Sequence, residues 1–83
     1  MGNNSAPELS ERAKNFKPGI YRHYKGDLYH AFFVARASEA IDQEYVVYQS
    51  LSKGFIWIRP LGMFLEEVKI GDYKGLRFTW VRQ

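Results

Sequence analysis

From Gly19 onward the chain is cut into short runs by turn residues: Gly26-Asp27, Ser52-Lys53-Gly54, Pro60, and Gly71-Asp72-Tyr73-Lys74-Gly75. The runs between them are rich in β-branched and aromatic residues, as in Tyr45-Val46-Val47-Tyr48, and such side chains fit a pleated, half-buried surface. This punctuation predicts strands over 20–25, 28–36, 44–51, 55–59, 66–70 and 76–81, with Leu76, Phe78 and Trp80 on one side of the last. A polar connector is expected over 38–43 and a loop over 71–75. Proline cannot donate to a ladder, so the strand before Pro60 should end there or lie at an edge. Residues 61–65 read as a single helical turn. The fold class is mainly β: a small antiparallel barrel or strongly bent sheet of SH3-like size, with five to six short strands. Closure would hide the sheet edges that a small β domain must protect.

The first 17 residues differ in character. Ser5-Ala6-Pro7-Glu8 fits a capping box, and Leu9, Ala13 and Phe16 then share a helical face. A short helix over 6–15 is expected, and an isolated helix of that length does not persist in water, so it docks through Leu9 and Phe16 or frays. The division is therefore a polar arm over 1–17 and one β domain over 18–83. A core of this size supplies net stability of about 3–5 kcal/mol, and an aromatic share of 17% enlarges the area each buried residue contributes. There are no cysteines, no apolar run of membrane-spanning length and no secretory-type apolar segment, so the chain reads as cytoplasmic, with no membrane partner. A net charge of +3, carried by scattered cations, permits an anionic partner without demanding one.

Pro18-Gly19-Ile20-Tyr21-Arg22-His23-Tyr24-Lys25-Gly26 packs ring side chains and cations between two glycines. Together with Tyr29, Ala35-Arg36, Ser38-Glu39, Val46-Val47-Tyr48, Leu51, Trp57-Ile58-Arg59-Pro60 and Met63-Phe64, it resembles the DUF1653 family over residues 18–78. The resemblance implies a mostly β domain of bacteria and their phages, occurring alone or beside nucleotide-hydrolysing domains, with no assigned activity or catalytic residue. Where that family often carries histidine before the Ser-Glu pair, this chain has Ala37, so no role for an imidazole there transfers.

Candidate chemistry comes from rings and cations. If Gly26-Asp27 is a two-residue turn, His23 falls opposite His30, a pair able to begin a metal site but lacking a third ligand, and otherwise two surface or half-buried histidines. Arg22, Arg36 and Arg59 supply guanidinium forks for carboxylate or phosphate, and Tyr21, Tyr24, Tyr48, Trp57 and Phe64 supply stacking faces. The plain alternative makes the rings core and pairs the arginines with Glu39, Glu44, Glu66 or Glu67. Trp57 and Arg59 share a strand face with Ile58 pointing inward, while Met63-Phe64 folds back as a plug or a lid. Glu66 and Glu67 point opposite ways and make no catalytic pair, and no nucleophile–base set, phosphate loop or dinucleotide fingerprint is present. These readings converge on a non-catalytic binding module for a small anionic or aromatic ligand, nucleotide-like, or for a peptide. Its candidate site is Tyr21, Arg22, His23, Tyr24, Arg36, Tyr48, Trp57, Arg59, Met63 and Phe64, with no cofactor. Single-stranded nucleic-acid binding on an exposed aromatic face, and protein–protein interaction through a strand edge, are the alternatives.

Overall fold

A computed structural model describes residues 7–83. In chain order the elements are α1 (Glu11–Lys14), β1 (Gly19–His23), β2 (Leu28–Ala37), β3 (Ala40–Ser50), β4 (Ile56–Pro60), α2 (Leu61–Leu65), β5 (Glu67–Ile70), β6 (Tyr73–Leu76) and β7 (Phe78–Arg82). Five strands form one antiparallel sheet in the order β4-β3-β2-β1-β7, and β5 and β6 form a separate hairpin. The fold is mainly β, as expected. The sheet does not close into a barrel: β4 and β7 are both edges, and the described residues form seven strands rather than five to six. No described helix is long and apolar enough to cross a membrane.

The turns differ from the simplest reading in physically instructive ways. The first hairpin pairs Tyr21 with Tyr29 and Arg22 with Leu28, and His23 N–H donates to Asp27 O at 2.8 Å. Its loop is therefore the three residues Tyr24-Lys25-Gly26, with Gly26 N–H bonded back to His23 O and Gly26 at φ +111°. A tight turn closed by a glycine in the left-handed region is a favoured three-residue hairpin connection. The register shifts accordingly, and His30 lies opposite Ile20 rather than His23. The two histidines sit on opposite faces of the sheet, so the expected facing pair does not form. The connector expected over 38–43 is instead a tight turn at Ser38-Glu39, with Ala37 paired to Ala40. Likewise, 71–75 is no loop: Gly71, at φ +58°, turns the chain so that Tyr73 pairs with Ile70, and Leu76 belongs to β6 rather than to the last strand. The N-terminal helix starts at Glu11, capped by Ser10, whose side chain accepts from Ala13 N–H at 3.1 Å. Pro7 and Glu8 are not helical, and the Ser5 end of the expected capping box lies outside the described residues.

One face of the sheet carries the core. Tyr21, Ala31, Val46, Tyr48 and Phe78 come from four strands, and α2 lays Leu61 and Phe64 across them. Phe64 is fully buried and stacks on Phe78 at 4.2 Å, with Tyr21 and Tyr48 edge-on at 5.1 and 5.3 Å. Offset and edge-on ring pairs of this kind add stabilisation beyond the area they bury. Leu9 and Phe16 pack against this cluster, as the docking expectation for the arm requires. Between Ala31 and Phe33 the β2–β3 register slips by one residue. That bulge reverses the alternation, so Val34 rather than Phe33 faces the core, and Phe33 is left 57% exposed on the outer face.

Candidate functional site

At the β4 side of the core face, the rings thin out into a pocket of about 340 Å³. Its floor is Tyr29, Tyr48 and Phe78, and its walls are Phe55 and Trp57 on one side and His23 and Asp27 on the other, with Ser50, Lys53 and Arg59 around them. The ladder explains the assembly. Tyr48 pairs with Trp57 and Val46 with Arg59, so alternate β4 residues project over the floor. Trp57 and Arg59 share that face as expected. Ile58 does not point inward: it lies on the opposite face and is 64% exposed. Phe55 and Trp57, edge to face at 5.9 Å, remain half exposed.

Arg59 is the pocket's fixed cation. Its Nε donates to Tyr48 Oη at 3.1 Å, and its guanidinium carbon lies 5.9 Å from the Phe78 ring. Among the described residues it has no carboxylate partner. Lys53 adds a second positive charge from the β3–β4 turn, and Asp27 is the one lining carboxylate. His23 packs on Tyr24 at 4.5 Å and edge-on to Phe78 at 5.0 Å, and its Nδ1 accepts from Lys25 N–H at 3.2 Å. Burial, then the charges of Lys25, Arg59 and Arg77, push the imidazole below its ordinary pKa against the opposing pull of Asp27. These surroundings favour the neutral imidazole. The Tyr29 hydroxyl is pushed up by burial, with Asp27 and Tyr48 adding and Arg59 opposing. Ser50 Oγ accepts from Lys53 N–H at 3.1 Å and lies 3.4 Å from Ser52 Oγ.

Of the ten residues singled out in the sequence, four meet here: His23, Tyr48, Trp57 and Arg59. The others are dispersed. Tyr21 is core, its hydroxyl donating to Lys17 O at 2.6 Å, and burial pushes its pKa up to about 12. Arg22 faces the outer side, opposite Leu28. Tyr24 stacks on Tyr73 at 5.4 Å and ties the first hairpin to β6. Arg36 sits at the far end of the β2–β3 ladder, opposite Glu44. Hydrogen bonds from Ser10, then the charges of Arg36 and Arg12, hold the Glu44 carboxyl below its usual range. Phe64 is the plug of the core, and Met63 beside it is 43% exposed. The three arginines therefore do not converge, because Arg22 and Arg59 belong to opposite faces and Arg36 to the opposite end. None of these three arginines forms a salt bridge among the described residues; Glu66, one of the carboxylates weighed for them, pairs with Arg77 instead. Sequence reading missed Asp27, Tyr29, Ser50, Lys53, Phe55 and Phe78. Tyr29 and Ser50 are ladder partners, a relation visible only once the β2–β3 register is known.

The family model of DUF1653, described as a protein of unknown function, matches residues 19–80, nearly the span over which the sequence resembles that family. Among solved structures, the chain is similar to the crystal structure of a DUF1653 protein from Bordetella bronchiseptica. The two are 40% identical, with a TM-score of 0.76, over 84% of this chain and 92% of that one. No curated protein matches. A family model over most of the chain and a structural neighbour at 40% identity agree, and the chain belongs to the DUF1653 family.

Proposed function

We propose that this domain is a non-catalytic binding module whose ligand combines a flat ring with an anionic group, as a nucleotide does. The observation that carries this reading is Arg59: a guanidinium held by Tyr48, without a carboxylate partner among the described residues, beside the half-exposed rings of Phe55 and Trp57. A guanidinium fork recognises carboxylate or phosphate in two-point fashion, and an exposed indole offers a stacking face. The volume of about 340 Å³ lies at the small end for ligand sites. The polar groups favour holding over reacting. Ser50 Oγ engages Lys53 N–H and Ser52 rather than His23, so no base is set against a hydroxyl.

The test is a titration of the protein with nucleoside monophosphates and small carboxylates, followed by NMR. Expected are shifts at the Trp57 indole N–H, Lys53 and Arg59, and an affinity at least about tenfold weaker in Arg59→Gln, the scale of one charge-assisted hydrogen bond. An anion in the pocket also stabilises imidazolium. Because the free His23 pKa lies below its ordinary value, binding of the small carboxylates, which stay ionised there, should tighten as pH falls through that range, with proton uptake. Saturating ligand that leaves these signals in place would defeat the reading.

A further inference from the structure

The geometry points to a second use of β4: we propose that two copies of this chain pair through it, antiparallel across a two-fold axis at Trp57. β4 is an edge strand whose one charge is Arg59; Phe55 just before it and Ile56, Trp57 and Ile58 within it are exposed by 58, 62, 50 and 64%. Natural edges are ordinarily blunted by charge, bulges or cover, and an apolar edge without them is a template for another strand.

The ladder determines which groups are free. Ser50 N–H donates to Phe55 O at 2.9 Å, which sets the phase of β3 against β4. By the antiparallel alternation, Phe55, Trp57 and Arg59 turn their backbone groups toward β3, and Ile56 and Ile58 turn theirs outward. Pro60, also at an outward position, has no N–H to offer and ends the strand. A second copy of the same edge satisfies the outward groups of Ile56 and Ile58 in one register. Ile56 and the partner's Ile58 exchange N–H···O bonds, the symmetric pair does the same, and the two Trp57 residues face each other between them. Shifting the register by two residues brings in Gly54, whose N–H and C=O are already bonded within the turn, or Pro60, whose carbonyl begins α2.

No like charges meet in this arrangement. Arg59 comes opposite the partner's Phe55, a cation beside a ring, at the mouth of the pocket. Both protomers keep their core faces on one side, so the two pockets flank the axis. The four apolar side chains expose roughly 400 Å² per protomer, so pairing buries at most about 800 Å² of them in total before the backbone is counted. That is the low end of specific association, so the dimer should be one that dissociates on dilution. The pairing stands on the edge geometry and does not require that the pocket bind anything.

Sedimentation velocity of the full chain between about 5 and 500 μM should show the 9.7 kDa species giving way to one of twice that mass. Ile58→Lys, with a melting curve showing that it folds, should weaken association at least about tenfold by setting a charge in the apolar edge. The register has its own readout. The chain is free of cysteine, so Trp57→Cys should form a disulfide dimer under mild oxidation, as a directly opposed pair lies within disulfide reach. Ile56→Cys and Ile58→Cys, each about 8 Å from its own symmetry mate, should not. Thr79→Cys on the opposite edge strand sets the background rate. A single monomeric species at the highest concentration, or Trp57→Cys oxidising no faster than Thr79→Cys, would overturn the proposal.

Discussion

Two groups of rings lie on the same face of one sheet, and only one of them is covered. Tyr21 of β1, Tyr48 of β3 and Phe78 of β7 are roofed by Phe64 from α2, and Phe16 from the N-terminal arm stacks on Tyr21. Phe55 and Trp57, at β4, stand half exposed. Composition does not separate the two groups. The difference comes from where the α2 side chains land: Pro60 stops β4, the chain turns immediately into Leu61–Leu65, and Phe64 packs on Tyr21, Tyr48 and Phe78. One group is thereby covered, and the other is left exposed.

Deleting a ring from each half should expose the contrast. Phe64→Ala removes a fully buried side chain stacked on Phe78 and edge-on to Tyr21 and Tyr48. Losses of about 3–5 kcal/mol accompany such truncations, and a domain of this size has about that much stability in all. The variant should be unfolded at room temperature by far-UV circular dichroism. A cooperative melt close to the wild-type temperature would mean that α2 is not the roof described.

The covered half is also sensitive through its backbone. Gly19 opens β1 at φ +144°, and a Cβ there would meet Arg82 O at 2.5 Å and Trp80 Nε1 at 2.7 Å. The indole cannot retreat freely, because Nε1 donates to Pro18 O at 3.2 Å and Lys17 Nζ lies 3.4 Å from the ring centroid. Gly19→Ala therefore combines a forbidden φ with a backbone clash, and about 2–3 kcal/mol should be lost in a urea melt. A loss below about 0.5 kcal/mol would show that β7 can move away from β1 at little cost.

How much of this was legible in the sequence depends on whether a feature is local. The strand before Pro60, the turn at Ser52-Lys53-Gly54 and the helical turn after Pro60 follow from proline and glycine chemistry within a few residues, and each formed. The shared face of Trp57 and Arg59 followed from strand alternation alone. Relations across strands did not follow. A three-residue loop where two residues were expected moved His23 away from His30, and one extra residue at the β2 bulge turned Phe33 outward. Neither shift leaves a mark on local propensity, since both concern which residue lies across the ladder. The expected meeting of Arg22, Arg36 and Arg59 failed for the same reason, while Lys53 and Asp27 reach the pocket from turns whose direction is set by the completed sheet.

The smallest effect belongs to the uncovered half. Trp57 is larger than Phe64, and a rule based on ring size would make its loss the more damaging. Burial gives the reverse order. Trp57 is 50% exposed, its ring packs edge to face on the still more exposed Phe55, and its backbone bonds to β3 survive truncation. Trp57→Ala should therefore shift stability at low protein concentration by no more than about 1 kcal/mol, near the range of surface substitutions. Measuring the two truncations side by side in dilute solution isolates the roof from the pocket wall. If Trp57→Ala costs as much as Phe64→Ala, then the indole is part of the core, and the division of the sheet face into a covered and an exposed half is wrong.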